Sequence, residues 1–140
     1  MIAVWFARVM GIVVALLAVA GLFVEGEHML GIMNVDVALD VVRIVLAVAL
    51  LVVGFGRVSR GALNAVLVLF GASYLLLAVL GMIDAEVFGL LPTGLTAFDL
   101  AFHIIVGVAA IAVVFTPRTD GRDRSGRHTT AGASAPRTAR

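Results

Sequence analysis

Four long runs of apolar residues alternate with short polar connections along the chain. The runs cover about residues 2–24, 37–55, 62–83 and 97–115. Each is about 20 residues long, the length that a helix needs to cross roughly 30 Å of hydrocarbon. Because unpaired backbone groups are too costly in lipid, each run should be helical despite its many Val and Ile residues. The pattern predicts an all-α membrane protein in which residues 1–117 form a bundle of four transmembrane helices.

The two halves of this bundle resemble each other. Small and acidic residues recur at matching positions, namely Gly11, Gly21 and Asp40 in the first half and Gly71, Gly81 and Asp99 in the second. Residues 1–58 and 59–117 are therefore predicted to be copies of one helix–loop–helix unit. Two crossings per copy make them parallel repeats about an axis along the membrane normal. The first run contains an A-x-A-like pattern typical of signal-peptide cleavage, but its match to the third run predicts a retained helix.

The placement of arginine predicts the orientation in the membrane. Arg57 and Arg60 lie between the second and third runs, and further arginines follow the fourth. The first and third connections contain acidic residues but no arginine. Because positive residues stay on the cytoplasmic side, we expect a multi-pass protein of the cell membrane with both termini in the cytoplasm.

Composition excludes several classes of function. Hydrophobic residues make up 62% and charged residues 14% of the chain, against about 45–50% and 25% in soluble domains. The absence of cysteine excludes disulfides and thiol catalysis.

Residues 118–140 are predicted to be a disordered basic cytoplasmic tail, which either contacts anionic lipid headgroups or acts only as a topology signal. Without aromatic residues this tail is not expected to bind nucleic acid.

Charged residues lie at the start of the second and fourth runs. Asp36, Asp40 and Arg43 are spaced to share one face of a helix, and so are Asp99 and His103. Ionisable side chains within a membrane are costly and usually face a partner or a cavity. The spacing predicts a polar intramembrane cluster at the outer face, which could bind a cation, relay protons or hold a polar ligand.

Helix capping offers a purely structural alternative for the same residues. Thr96 and Asp99 have the spacing of a capping box, and Asp36 or Asn34 could cap the second helix. Arg43 could pair with an aspartate one turn away or extend outward. Capping explains neither Arg43 nor the histidine within the fourth run.

The histidine pattern does not favour a cofactor or a metal. A haem between membrane helices usually needs two axial ligands, but Ile44 occupies the position that corresponds to His103. For a metal, Asp99 and His103 provide two ligands. Others could join only if the first loop folded back: Glu25, Glu27 and His28. We expect no cofactor and no metal, and a hydrogen bond from His103 to another helix.

Small residues recur along the predicted helices. Such residues allow membrane helices to approach closely, within one chain or between chains. The candidate packing positions are Ala7, Gly11, Ala15, Gly71, Gly81 and Gly107. No nucleophile–base pair, phosphate-binding glycine loop or His/Glu metal motif is present, so the chain is not expected to be an enzyme.

Part of the chain resembles a known family. Residues 71–81 (GASYLLLAVLG), Leu90-Leu91-Pro92 and Asp99-x-x-x-His103 followed by Gly107 are similar to small four-helix membrane proteins of high-GC bacteria, catalogued as a domain of unknown function (number 4383). The resemblance spans about residues 7–115 and implies a membrane location and this topology, but no activity. The family often has a histidine in both even-numbered helices, and here Ile44 replaces the first.

Three functions remain open at this point. The first is a non-enzymatic accessory or assembly subunit, or a homo-oligomer, that acts through contacts between helices in the bilayer. The second is a small ion, proton or solute transporter or channel that uses the charged cluster. The third is a membrane protein that binds haem or a metal.

Overall fold

The computed structural model describes residues 2–23, 28–29 and 33–116 of the chain. The described residues contain four helices: α1 (Ile2–Gly21), α2 (Val37–Phe55), α3 (Arg60–Ile83) and α4 (Ala97–Val114). All four are long and apolar enough to cross a membrane. The prediction of a helical protein with four possible membrane spans is therefore confirmed. Residues 118–140, which include the predicted tail, lie outside the described residues.

The ends of the helices follow local capping chemistry. Helix α3 begins two residues before the predicted run, because Ser59 is its N-cap and accepts a hydrogen bond from the Ala62 N–H at 3.2 Å. Helix α1 ends at Gly21, earlier than predicted, and a turn follows at Leu22 and Phe23. The first connection also contains a short antiparallel pair that the sequence did not predict, β1 (His28–Met29) and β2 (Met33–Asn34).

The helices form two hairpins, since α1 packs mainly on α2 and α3 mainly on α4. The hairpins meet around fully buried Leu50 of α2 and Leu67 and Phe70 of α3. Outward-facing side chains are large and apolar, as at Trp5, which is 67% exposed. A surface of this kind suits contact with lipid rather than with water.

The predicted small residues lie between helices of the same chain. Gly11 contacts the side chain of Leu51 in α2, and Gly81 lies against Leu95 and Leu100. Ala7 is fully buried in the main core, whereas Ala15 is partly buried at its edge. In the described residues, these small side chains therefore contact neighbouring helices of the same chain.

Gly71 and Gly107 bring α3 and α4 into close contact. A methyl group built on Gly71 would lie 2.7 Å from the carbonyl oxygen of Gly107, which is too close without a backbone shift. We expect Gly71→Ala to destabilise the protein by about 1–3 kcal/mol through overpacking. The measurement is thermal unfolding of the purified protein in detergent.

Gly61→Ala is the matched control for this substitution. Gly61 also lies in α3, but the nearest atom to its added methyl group is Ser59 Oγ at 3.8 Å. Alanine is the better helix former by about 0.5–1 kcal/mol, so this variant should unfold at an equal or higher temperature. Equal losses in the two variants would contradict close contact at Gly71.

Arg8 connects α1 to the end of α2. Its Nε donates a hydrogen bond of 2.6 Å to the carbonyl of Gly54, and its guanidinium lies 4.9 Å from the ring centroid of Phe55. The last carbonyls of a helix lack partners within the helix, and a cation is favoured there. Arg8 therefore stabilises the end of α2 that lies opposite the polar residues described below.

Candidate functional site

The structure brings the polar residues of α2 and α4 together at one end of the bundle. We call the hydrogen-bonded set the polar cluster, and it consists of Asn34, Asp36, Asp40, Arg43, Thr93, Thr96 and Asp99. Its three carboxylates and its single guanidinium are all buried, with exposures of 6% or less. His103 lies one turn beyond Asp99 and is also buried. The five site residues predicted from sequence therefore occupy one region.

Arg43 points into the protein rather than outward. Its Nη1 forms a salt bridge of 2.7 Å with Asp40 Oδ1, and its Nη2 donates to the carbonyl of Asn34 at 3.3 Å. The predicted pairing with Asp40 is present, whereas extension towards the bilayer surface is not. Burying an ion pair carries a desolvation cost that can exceed the Coulombic gain. The presence of this buried pair is therefore weak evidence that it stabilises the fold.

Asn34 joins the two halves of the chain. Its Nδ2 donates to Asp36 Oδ2 and to the carbonyl of Gly94, both at 2.8 Å, and lies 2.5 Å from Thr93 Oγ1. Its backbone N–H donates to Asp99 Oδ2 at 2.9 Å. Sequence analysis treated Asn34 only as a possible cap, because nothing local to it indicates these partners.

Asp36 does not cap α2 with its side chain, and that prediction is wrong. The residue occupies the N-cap position, but its carboxylate accepts no hydrogen bond from the first turn of α2. Asp36 Oδ2 instead accepts from Asn34 Nδ2 and from the hydroxyl of Thr93, both at 2.8 Å. The amide of neighbouring Asn34 and the hydroxyl of Thr93, in the distant α3–α4 connection, thus take the place of the N–H groups of the first turn. Thr93 was missed because only the tertiary fold brings it here.

The predicted capping box at the start of α4 is confirmed. Thr96 Oγ1 accepts from the Asp99 N–H at 3.2 Å, and Asp99 Oδ2 accepts from the Thr96 N–H at 2.9 Å. The same Asp99 oxygen also accepts from Asn34. Asp99 therefore both caps a helix and anchors the contact between the two halves.

His103 makes its hydrogen bond within α4 rather than to another helix. Its Nδ1 lies 2.6 Å from the backbone carbonyl of Asp99. A carbonyl can only accept, so Nδ1 carries the hydrogen and, in the neutral ring, Nε2 carries the lone pair. The contact with α3 is a ring contact, with the Tyr74 centroid 4.7 Å away. The expected hydrogen bond between helices is thus replaced, in the described structure, by aromatic packing.

Metal ligands of the usual kind do not converge in the part of the chain that the structure describes. There, no group of three His, Cys, Asp or Glu side chains is placed to hold a metal ion. Glu25, Glu27 and the side chain of His28, the possible additional ligands in the first loop, lie outside the described residues.

The polar cluster contains more negative than positive groups. It has three buried carboxylates and one buried guanidinium. Three buried acceptor atoms lack a hydrogen-bond donor among the described residues: Asn34 Oδ1, Asp40 Oδ2 and Asp99 Oδ1. Each buried acceptor without a partner costs about 1–3 kcal/mol. This arrangement is suited to receive positive charge.

Comparison with known proteins adds no relative to this description. No protein-family model, curated protein or solved structure matches the chain. The class of protein follows from the four helices that are long and apolar enough to cross a membrane and from the polar cluster. It is a four-helix membrane protein with buried charged residues at one end of the bundle.

Proposed function

We propose that the chain is a non-enzymatic, multi-pass protein of the cell membrane with both termini in the cytoplasm. The support is the pair of arginines where α2 passes into α3, Arg57 in the connection and Arg60 at the first residue of α3. The α3–α4 connection, in contrast, contains Asp84 and Glu86 and no arginine. The polar cluster would then face the outside. The hairpin pairing of the helices supports two parallel repeats, and residues 71–81 with Asp99-x-x-x-His103 support membership of the four-helix family named above.

Cysteine labelling tests this orientation, because the natural chain has no cysteine. Glu86→Cys and Val58→Cys each place one thiol at an exposed position, on opposite sides of the proposed membrane. A membrane-impermeant maleimide added to whole cells should label the first variant only. Labelling of Val58→Cys alone would show that the orientation is opposite to the proposed one. Labelling in lysed cells provides the control that both thiols can react.

For the activity itself, we propose that the protein acts through contacts with other membrane helices, as an accessory or assembly subunit or as a homo-oligomer. The observation that supports this is the surface the chain leaves uncovered. Within each of the four helices, only 22% to 44% of the residues of the most apolar stretch are buried by the rest of the chain. The remaining faces of the helices are apolar. Such faces can pack against helices as well as against lipid.

Affinity purification from native membranes in mild detergent tests this proposal. We expect a partner of constant stoichiometry, or a defined homo-oligomer, by mass spectrometry and light scattering. Membranes without the tagged chain provide the background. A stable monomer without a partner in several mild detergents would exclude the proposal.

A second candidate function is the transport of an ion, proton or small solute. It is favoured by the excess of buried carboxylates and by the acceptor atoms without donors in the polar cluster. Four helices enclose little space, so a pore would need an oligomer. Replacing Asp99 and His103 by alanine should abolish flux into liposomes, whereas Glu86→Gln, at an exposed position, should not. Unchanged flux in the double variant would exclude this site.

Haem binding is the remaining alternative, and it has a direct test. His103 is the histidine within the described spans, and haem held by histidine absorbs strongly in the visible range. A colourless preparation would exclude it.

A further inference from the structure

The α3–α4 connection, residues 84–96, has apolar residues on its outside. Phe88 and Leu90 are 71% and 63% exposed. A methyl group built on Gly89 between them would meet no atom within 4 Å beyond its immediate chain neighbours. Val87 and Leu91, on either side, belong instead to a buried cluster inside the protein. Residues 88–90, which we call the connection tip, are therefore an apolar surface that the described residues leave uncovered.

A left-handed turn of the backbone separates the buried from the exposed residues. Val87, Phe88 and Gly89 have φ angles of 49°, 58° and 82°, a region that is costly for side chains other than glycine and most of all for a β-branched one. The Asp84 carboxylate holds the turn, since it accepts from the Phe88 N–H at 2.7 Å and from the Glu86 N–H at 3.2 Å. The fold thus maintains a costly conformation that buries the valine and exposes the phenylalanine.

The backbone of the connection makes most of its hydrogen bonds within the connection itself. Five N–H groups donate to carbonyls of residues 84–91 at 2.8 to 3.2 Å, namely those of Val87, Leu90, Leu91, Gly94 and Leu95. Two more donate to the Asp84 carboxylate, as described above. Non-helical backbone can leave water only where its polar groups have partners in the protein. Because most N–H groups of the connection have such partners, the connection meets this condition.

The connection tip lies between two helices that are long and apolar enough to cross a membrane. Met82 and Ile83, at the end of α3, are exposed, and so is Phe98 in the first turn of α4. Apolar side chains gain free energy by leaving water, and an exposed apolar patch marks an interaction site. The tip therefore continues the lipid-facing surface of the two helices into their connection.

We propose that the connection tip inserts Phe88 and Leu90 into the adjacent lipid leaflet, at the boundary between headgroups and acyl chains. The partner is the phospholipid itself, because the tip contains no charged or polar side chain that a polar partner would recognise. Apolar faces of interfacial segments reach about 5–10 Å into this boundary. Insertion also holds Thr93 and Gly94 of the same connection at the bundle end, where both contact Asn34. The inference goes beyond the proposed function and requires neither a partner protein nor transport.

Spin labels test this proposal, because the natural chain has no cysteine. Phe88→Cys and Leu90→Cys each carry one nitroxide label in the full chain, in phosphatidylcholine bilayers. Collision with molecular oxygen, which concentrates among acyl chains, is compared with collision with a water-soluble nickel chelate. The label at Glu86→Cys, which is two residues earlier and also exposed, is the matched control. We expect the ratio of oxygen to chelate collisions to be several-fold higher at the two tip positions than at residue 86.

Two results would overturn the proposal. Tip labels that collide with the chelate as often as the label at residue 86 would lie in water. Tip labels protected from both reagents would be covered by another protein or by a second copy of the chain. Leu90 lies outside the left-handed turn, so Leu90→Cys decides the question even if Phe88→Cys fails to fold. A monomer without transport activity whose tip labels meet oxygen would support the proposal while excluding the proposed functions.

Discussion

Replacing Arg43 by leucine should destabilise the protein by about 3–5 kcal/mol. The substitution removes the guanidinium from a buried salt bridge of 2.7 Å and leaves Asp40 without its counter-charge. Loss of one partner from a buried pair is severe because the other charge stays desolvated. The free energy of unfolding in mixed micelles measures the effect.

The double variant Arg43→Leu, Asp40→Leu separates charge from packing. Replacing both members of a buried pair by apolar residues is often neutral, so the double variant should recover most of the loss, as a double-mutant cycle would register. Arg57→Leu provides the control, because Arg57 is exposed and such changes usually stay within about 0.5 kcal/mol. Equal stability of Arg43→Leu and the natural chain would contradict a buried Asp40–Arg43 pair.

Asn34→Leu should be the second most damaging substitution, with a loss of about 3 kcal/mol. It removes both donors of the amide and leaves the Asp36 carboxylate and the Gly94 carbonyl buried with fewer partners. Buried acceptors that lose a donor cost about 1–3 kcal/mol each. Because these bonds join the first connection to the third, hydrogen exchange at Thr93 and Gly94 should also accelerate.

Asn64→Leu is the matched control for this prediction. Asn64 lies half-buried in α3, away from the polar cluster, so the same change of side chain there should alter stability by less than about 0.5 kcal/mol. If both variants lost the same stability, the effect would come from leucine itself and not from the bonds between the two halves.

The helices were predictable because their cause is local. The run at residues 37–55 matches α2 at both ends, since a continuous apolar stretch between polar residues determines where a helix can stay in lipid. The start of α3 differed because a single hydroxyl, that of Ser59, caps it. The capping box at Thr96 and Asp99 was also predictable from the sequence, because its two residues are three positions apart.

The candidate site was only partly predictable. Helical spacing placed Asp36, Asp40 and Arg43 on one face, and all three are buried there. The alternative role of Asp36 as a side-chain cap of α2 was wrong, and Thr93 was not foreseen. The bond between these two residues spans 57 positions of the chain, and the bond from Asn34 to Asp99 spans 65. Spacing within one helix carries no information about such partners.

The sequence by itself determined the four spans, their approximate ends and the sharing of helix faces, because hydrophobicity and helical periodicity act over neighbouring residues. Only the tertiary structure decided which polar atoms form hydrogen bonds with each other and which buried acceptors have no donor among the described residues. Asn34 Oδ1, Asp40 Oδ2 and Asp99 Oδ1 lack donors among the described residues. The docking of the first connection against the third positions the other polar atoms of the Asn34 and Asp99 side chains, whereas Arg43 of the same helix holds the other oxygen of Asp40. That docking depends on the relative placement of two hairpins, which no local pattern specifies.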